Sequence, residues 1–142
     1  AFGRYNFSFD VARTALDQGV VPNTISTDLT LPGRETSVYS MPEMLTRFLA
    51  LGFSIGDVLK MTTSNSAKAL DMADTIGTLK PGNEADISVL EIVDGDWHVS
   101  DVKGVFLRTN KAIRPYITLK SGDIITPDLG PHPWGFLPNQ SL

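Results

Sequence analysis

The sequence predicts an α/β protein in two parts, helical through residue 72 and a small antiparallel sheet over residues 75–125. Three observations carry this. Residues 7–18 (FSFDVARTALDQ) place Phe9, Ala12, Ala15 and Leu16 on one face at helical spacing. The β-prone segment Val20–Thr27 follows and ends at Asp28, so a helix leads into a short strand with a carboxylate at its C-terminal end. After Ala73 the pattern changes to β-branched residues, Ile87, Val89 and Ile92, interrupted by turn residues. The expected division is 1–72, 73–126 and an irregular Pro- and Gly-rich tail over 127–142.

The elements follow in order. Gly19 is placed to end the first helix in a left-handed conformation, and Pro22 blocks continuation. Residues 29–40 read as a loop of 12 residues containing Pro32 and Gly33, a length that in compact domains often serves function. Ser40 with Glu43 forms a capping box with Pro42 in the first turn. The helix that follows turns Met41, Met44, Leu45, Phe48 and Leu49 inward and stops at Gly52. Ser54 with Asp57 opens another helix through Met61, and Ser64 or Asn65 caps a short third one ending near Leu70 and Met72. In the β part, Asp94-Gly95-Asp96 reads as a hairpin turn, Val99, Val102, Val105 and Phe106 continue the β character, and Ser121-Gly122-Asp123 reads as a second turn.

Composition narrows the function classes. With 42% apolar and 20% charged residues the 142-residue chain is that of a globular protein with a core. No apolar run approaches the roughly 20 residues of a membrane helix, and AFGRYNFSF lacks the features of a signal peptide. A net charge of -4 with scattered basic residues argues against a nucleic-acid partner. The absence of Cys excludes disulfides, thiolate nucleophiles and Cys-based zinc sites, and permits a reducing cytoplasm, the expected compartment. His98 and His132 are the only histidines, too few for a metal centre within this chain alone.

Three motifs in order resemble the metal-dependent amidohydrolase superfamily, in the deacetylase subgroup near the dihydroorotases. Ile76-Gly77-Thr78-Leu79-Lys80-Pro81-Gly82-Asn83-Glu84-Ala85-Asp86, running into apolar residues, is similar to the pattern Gly-x-Leu-x-Pro-Gly-x-x-Ala-Asp with which these enzymes pass from barrel to small β domain. Thr63-Ser64-Asn65-Ser66-Ala67-Lys68-Ala69-Leu70 is similar to a helix opening Thr-x-Asn-Pro-Ala-x-x-Leu, with Ser66 in place of Pro. Ser26-Thr27-Asp28 resembles the end of the eighth barrel strand. The resemblance covers most of residues 7–125. It implies the C-terminal part of a TIM (β/α)8 barrel, units 7–8, plus a small antiparallel β-sandwich subdomain. A barrel closes with eight strands, so such a piece leaves open edges. The implied partners are a missing N-terminal part of the same enzyme or a second copy.

The implied activity is hydrolysis of an amide, less often an ester, of a small acylated or cyclic substrate, using a divalent metal, expected to be zinc, in the complete enzyme, with none held by this chain alone. The resemblance makes Asp28 both metal ligand and catalytic base, and sets the loop Leu29–Ser40 beside the substrate. A metal-bound water is acidic enough to yield hydroxide near neutral pH, and a neighbouring carboxylate can carry its proton to the leaving nitrogen. The plain alternative is that Asp28 caps a loop or helix. The family's His-x-His, bridging lysine and further histidines have no match here. Lys60, Lys68 and Lys80 lie on helices or a turn and cannot replace them, and Arg4 takes no role. His98, His132, the pair Glu84 and Asp86, the pair Asp94 and Asp96, and Met41, Met44 and Met61 are read as structural. Two rivals stand beside this reading: a non-catalytic structural or interaction module, and an unrelated α/β binding domain.

Overall fold

The computed structural model describes residues 7–30, 40–126 and 139–140. Among the described residues, four helices precede a four-stranded sheet: α1 (Phe9–Asp17), α2 (Met41–Ala50), α3 (Ile55–Thr62) and α4 (Ser64–Ala69), then β1 (Ile87–Ser100), β2 (Phe106–Lys120), β3 (Asp123–Ile125) and β4 (Asn139–Gln140). Strand order is β3-β2-β1-β4, antiparallel throughout.

The caps form largely as the sequence predicts. Ser40 Oγ accepts the Glu43 N–H at 3.3 Å, and Ser54 Oγ accepts the Asp57 N–H at 3.1 Å. Gly19 (φ +80°) and Gly52 (φ +98°) end α1 and α2 in the left-handed region. Met44, Leu45 and Phe48 of α2 are buried with Ile25, Val58, Met61 and Ile113, while Met41 and Leu49 pack against that core. The core therefore spans helices and sheet. A smaller cluster of Phe9, Val99 and Leu107 joins α1 to the far end of the β1–β2 hairpin.

Three local expectations are corrected. Val20–Thr27 forms no strand. A β-prone segment becomes a strand only beside another, and its anchors are instead the Ile25 N–H on the Met61 carbonyl (3.2 Å) and Asn65 on Asn23. Asp94-Gly95-Asp96 is not a hairpin turn but an irregularity inside β1, where the register to β2 shifts between Asp94 and Trp97. Here the Trp97 indole N–H bonds the Val93 carbonyl (3.0 Å), and a Cβ on Gly95 would lie 2.8 Å from the ring. The turn comes at 101–105, where Asp101 Oδ1 accepts the Lys103 and Val105 N–H groups at 2.8 and 2.9 Å. Third, neither Ser64 nor Asn65 caps α4: Ser64 is its first residue, and Thr63 before it makes no side-chain cap bond.

A second register shift, between Val89 and Leu90, lies opposite Pro115, which has no N–H to give the ladder. The Ser121-Gly122 turn forms as expected, both residues at positive φ (51° and 89°), as a type I′ loop requires. Among the described residues no helix is long and apolar enough to cross a membrane.

Candidate active site

Asp28 stands at the end of the segment that follows α1. It is exposed, and its backbone is left-handed, at φ 51°. Such a conformation is uncommon outside Gly, and Asp tolerates it better than most residues. The other non-Gly residues there have local reasons. Asp71 follows α4, where the Met72 N–H closes back on the Ala67 carbonyl, and Ser121 is in the β-turn. Asp28 belongs to no such cap or hairpin. No described residue pairs with its carboxylate; beside it the Leu29 N–H donates to Thr27 Oγ1 at 3.2 Å.

The segment behind Asp28 is fixed at two points. The Ile25 N–H donates to the Met61 carbonyl, and Ile25 is buried in the main core. The Asn65 side-chain amide donates to the Asn23 carbonyl at 3.0 Å, across 42 positions of sequence. Ser66, where the resembled pattern has Pro, also donates to the Met61 carbonyl, at 2.8 Å. The end of α3 and the start of α4 thus form the seat of the Asp28 segment. Asn65 was read from sequence only as a candidate cap; its true partner is too distant in the chain for local pattern to find.

A carboxylate is a usual ligand for a catalytic divalent ion beside imidazoles, so Asp28 fits as one ligand. Among the described residues no group of three or more His, Cys, Asp or Glu is placed to hold a metal ion. The remaining ligands of any such ion are not among them. Loop residues 31–39 and His132 lie outside the described residues. His98 sits half-buried on β1, in register between Arg108 and Asn139. Lys60 lies on α3 and Lys68 on α4.

The acidic residues read as structural have structural partners. Asp94 pairs with Lys111 (2.7 Å) and Asp96 with Arg108. Asp86 takes the Lys120 ammonium (2.5 Å) and the Ser121 N–H (2.9 Å), which hold its carboxyl below the usual range, the lysine contact first. Its place in the Pro-Gly-x-x-Ala-Asp run is therefore explained by clamping the β2–β3 turn onto β1. Gly77, the first glycine of that run, has φ +82° and lies against α4: a Cβ there would come 2.6 Å from the Ala67 Cβ and 3.0 Å from the Thr63 carbonyl. Two of the motifs thus meet in space.

A cavity of about 620 Å³ lies between the helices and the sheet, lined by Met41, Leu45, Leu59, Leu79, Ile87 and Leu90 among others. Asp28 is not part of its lining. Its walls come from α2, α3, the connector and the sheet, so no local motif could announce it.

Known proteins match this chain in sequence and in fold. The sequence profile of the Amidohydrolase family covers residues 9–126. This chain belongs to the amidohydrolase family. It is 27% identical over 124 residues to a deacetylase of Brucella anthropi, covering 87% of this chain and 31% of that protein. It is 28% identical over 123 residues to a deacetylase of Enterococcus faecalis, covering 86% and 33%. Among solved structures it is similar to an adenine deaminase (TM-score 0.82, 28% identity, 87% of this chain and 34% of that one). It is also similar to a dihydroorotase (TM-score 0.77, 27% identity, 87% and 33%). The chain therefore spans about a third of the length of the amidohydrolase relatives it matches.

Proposed function

We propose that this chain forms part of an amidohydrolase that cleaves a C–N bond other than a peptide bond, in a small acylated or cyclic amide, with Asp28 in the catalytic site. In this reading residues 1–72 belong to barrel units 7–8, residues 73–126 to the small β subdomain, and the loop Leu29–Ser40 borders the substrate. The exposed apolar residues of α1 and the sheet, Val11, Val89, Ile92, Phe106 and Tyr116, are then covered by a further part of the same polypeptide or a second copy. The observation that carries the reading is Asp28 itself: an exposed carboxylate at a left-handed position, on a segment seated by Ile25 and Asn65, at the place where the family pattern calls for an acid.

Asp28 would serve as a carboxylate ligand of a divalent metal ion, zinc being the expected one. That ion, when bound, supplies Lewis acidity that eases ionisation of water. The carboxylate accepts the proton of the attacking water and returns it to the leaving nitrogen, which departs as a neutral amine or amide. The segment before Asp28 carries the acid at its end, and no described residue pairs with its carboxylate.

The test is Asp28→Asn in the complete enzyme. It keeps the shape and removes charge and basicity. Turnover should fall by roughly 10²–10⁴, with the thermal midpoint little changed because Asp28 is exposed. Asp57→Asn is the control: at an exposed helix start it should cost up to about 1 kcal/mol of stability and leave turnover alone. Near-normal turnover of a folded Asp28→Asn enzyme would return Asp28 to a structural role.

A further inference from the structure

Resting on that reading of Asp28, we infer that Asn65 is a positioning residue for the catalytic carboxylate. The segment from Val20 to Thr30 lies in no helix or strand, so no ladder of backbone bonds holds it. Its described anchors are few. The Ile25 side chain is buried and its N–H reaches the Met61 carbonyl. Asn65 Nδ2 reaches the Asn23 carbonyl, two residues before Ile25. Asp28 follows Ile25 by three residues and adopts a backbone conformation that a loosely held chain would leave.

The two anchors converge on one place. Met61 is the next-to-last residue of α3, and Asn65 is the second residue of α4. The Ser66 hydroxyl, donating to the same Met61 carbonyl, locks the α3–α4 corner. Asn65 therefore presents its amide from a rigid corner. The corner is itself wedged, because Gly77 packs against Ala67 and the Thr63 carbonyl. The Asn65 donor is specific in kind: it gives an N–H to a carbonyl, which neither Asp nor Ala can do. Asn65 touches no reacting atom in this arrangement. It fixes where the peptide carrying Asp28 leaves the core, and a small displacement of a catalytic base is costly in rate.

The experiment compares Asn65→Asp and Asn65→Ala with Asp28→Asn in the intact protein, by amide hydrogen exchange and by steady-state kinetics. Asn65→Asp keeps size and loses the donor; Asn65→Ala shows that the effect does not come from an added charge. Exchange of peptides covering residues 20–30 should quicken by about fivefold in both variants, the value of one lost hydrogen bond. Peptides from the core of α2 and β2 should be unchanged. kcat should fall roughly 10- to 100-fold with KM within about twofold. A residue that served only overall stability would lower the thermal midpoint and leave kcat per folded molecule alone. Unchanged exchange and unchanged kcat in both Asn65 variants, beside an inactive Asp28→Asn, overturn the inference and leave the catalytic reading standing. If Asp28→Asn is active, the catalytic reading fails, and with it the role given to Asn65, whatever the exchange shows.

Discussion

Asp101 shows how much one buried side chain organises. Its Oδ2 accepts the Phe9 N–H at 2.9 Å and its Oδ1 accepts those of Lys103 and Val105. The Phe9 bond spans 92 positions and caps α1 from outside, since Ser8, at the cap position, makes no side-chain cap bond. Burial pushes the carboxyl upward in pKa, but the three backbone donors outweigh it, and the group sits below the ordinary carboxylate value. The sign follows. With the folded pKa below the unfolded one, the ionised group stabilises the fold above about pH 4, and that contribution disappears as pH falls through the folded pKa. Asp101→Asn should remove this part of the acid sensitivity and lower stability at neutral pH by roughly 1–3 kcal/mol. Chemical denaturation of both proteins at pH 7 and pH 3 checks it: the gap between them should narrow at the lower pH. A constant gap would mean that Asp101 acts through shape and not charge.

At the scale of elements, the connector's two glycines behave differently. Gly82 has open space where its Cβ would be, and only its φ of +97° restricts substitution. Gly77 combines φ +82° with the 2.6 Å approach to Ala67. Gly77→Ala should therefore cost about 1–2 kcal/mol for the left-handed backbone plus about 1–3 kcal/mol for overpacking. Adding Ala67→Gly should recover much of the second part, which a double-mutant cycle by denaturant titration would read as coupling. Additive losses would separate Gly77 from α4. The helices were legible in the sequence because their signals are local: Ser40 to Glu43, Ser54 to Asp57 and the apolar face of α2 all act within one or two turns. The β part was legible in type but not in layout. Asp94-Gly95-Asp96 carries turn chemistry, yet Trp97 folds over Gly95 and the strand continues, while Asp101 makes a turn that no dipeptide announced. Val20–Thr27 has strand composition without a strand beside it among the described residues. For the candidate site, motif order singles out Asp28 as the proposed acid, whereas Asn65 depends on a contact 42 residues away.

Across the whole molecule, helices and sheet are joined by buried polar bonds as well as by core. Thr46 Oγ1 accepts the Ile113 N–H at 3.0 Å, and Arg47 Nε donates to the Ser100 carbonyl at 3.0 Å. Arg47 is 2% exposed and pairs with Glu43, one turn earlier on α2, at 2.8 Å. A guanidinium so buried needs its charge met and its donors used, and here the carboxylate and the strand carbonyl meet both needs. The pair therefore ties the position of α2 to the end of β1, beside the Asp101 turn that holds α1. Loosening it should be felt in both halves at once. Arg47→Ala removes the cation next to the buried Glu43 carboxylate and the bridge to Ser100, so a loss of about 3–5 kcal/mol is expected. Arg47→Met combined with Glu43→Leu keeps the volume without burying charge and should lose far less. Thermal unfolding followed by far-ultraviolet circular dichroism and by Trp97 fluorescence, in a Trp134→Phe background that leaves Trp97 the one tryptophan, distinguishes the possibilities. Coincident transitions, shifted together in Arg47→Ala and largely restored in the double variant, are expected if one core and one set of ties hold both parts. A transition of the sheet that stays at its original temperature while the helices melt early would mean that the Arg47 bridge does not couple them.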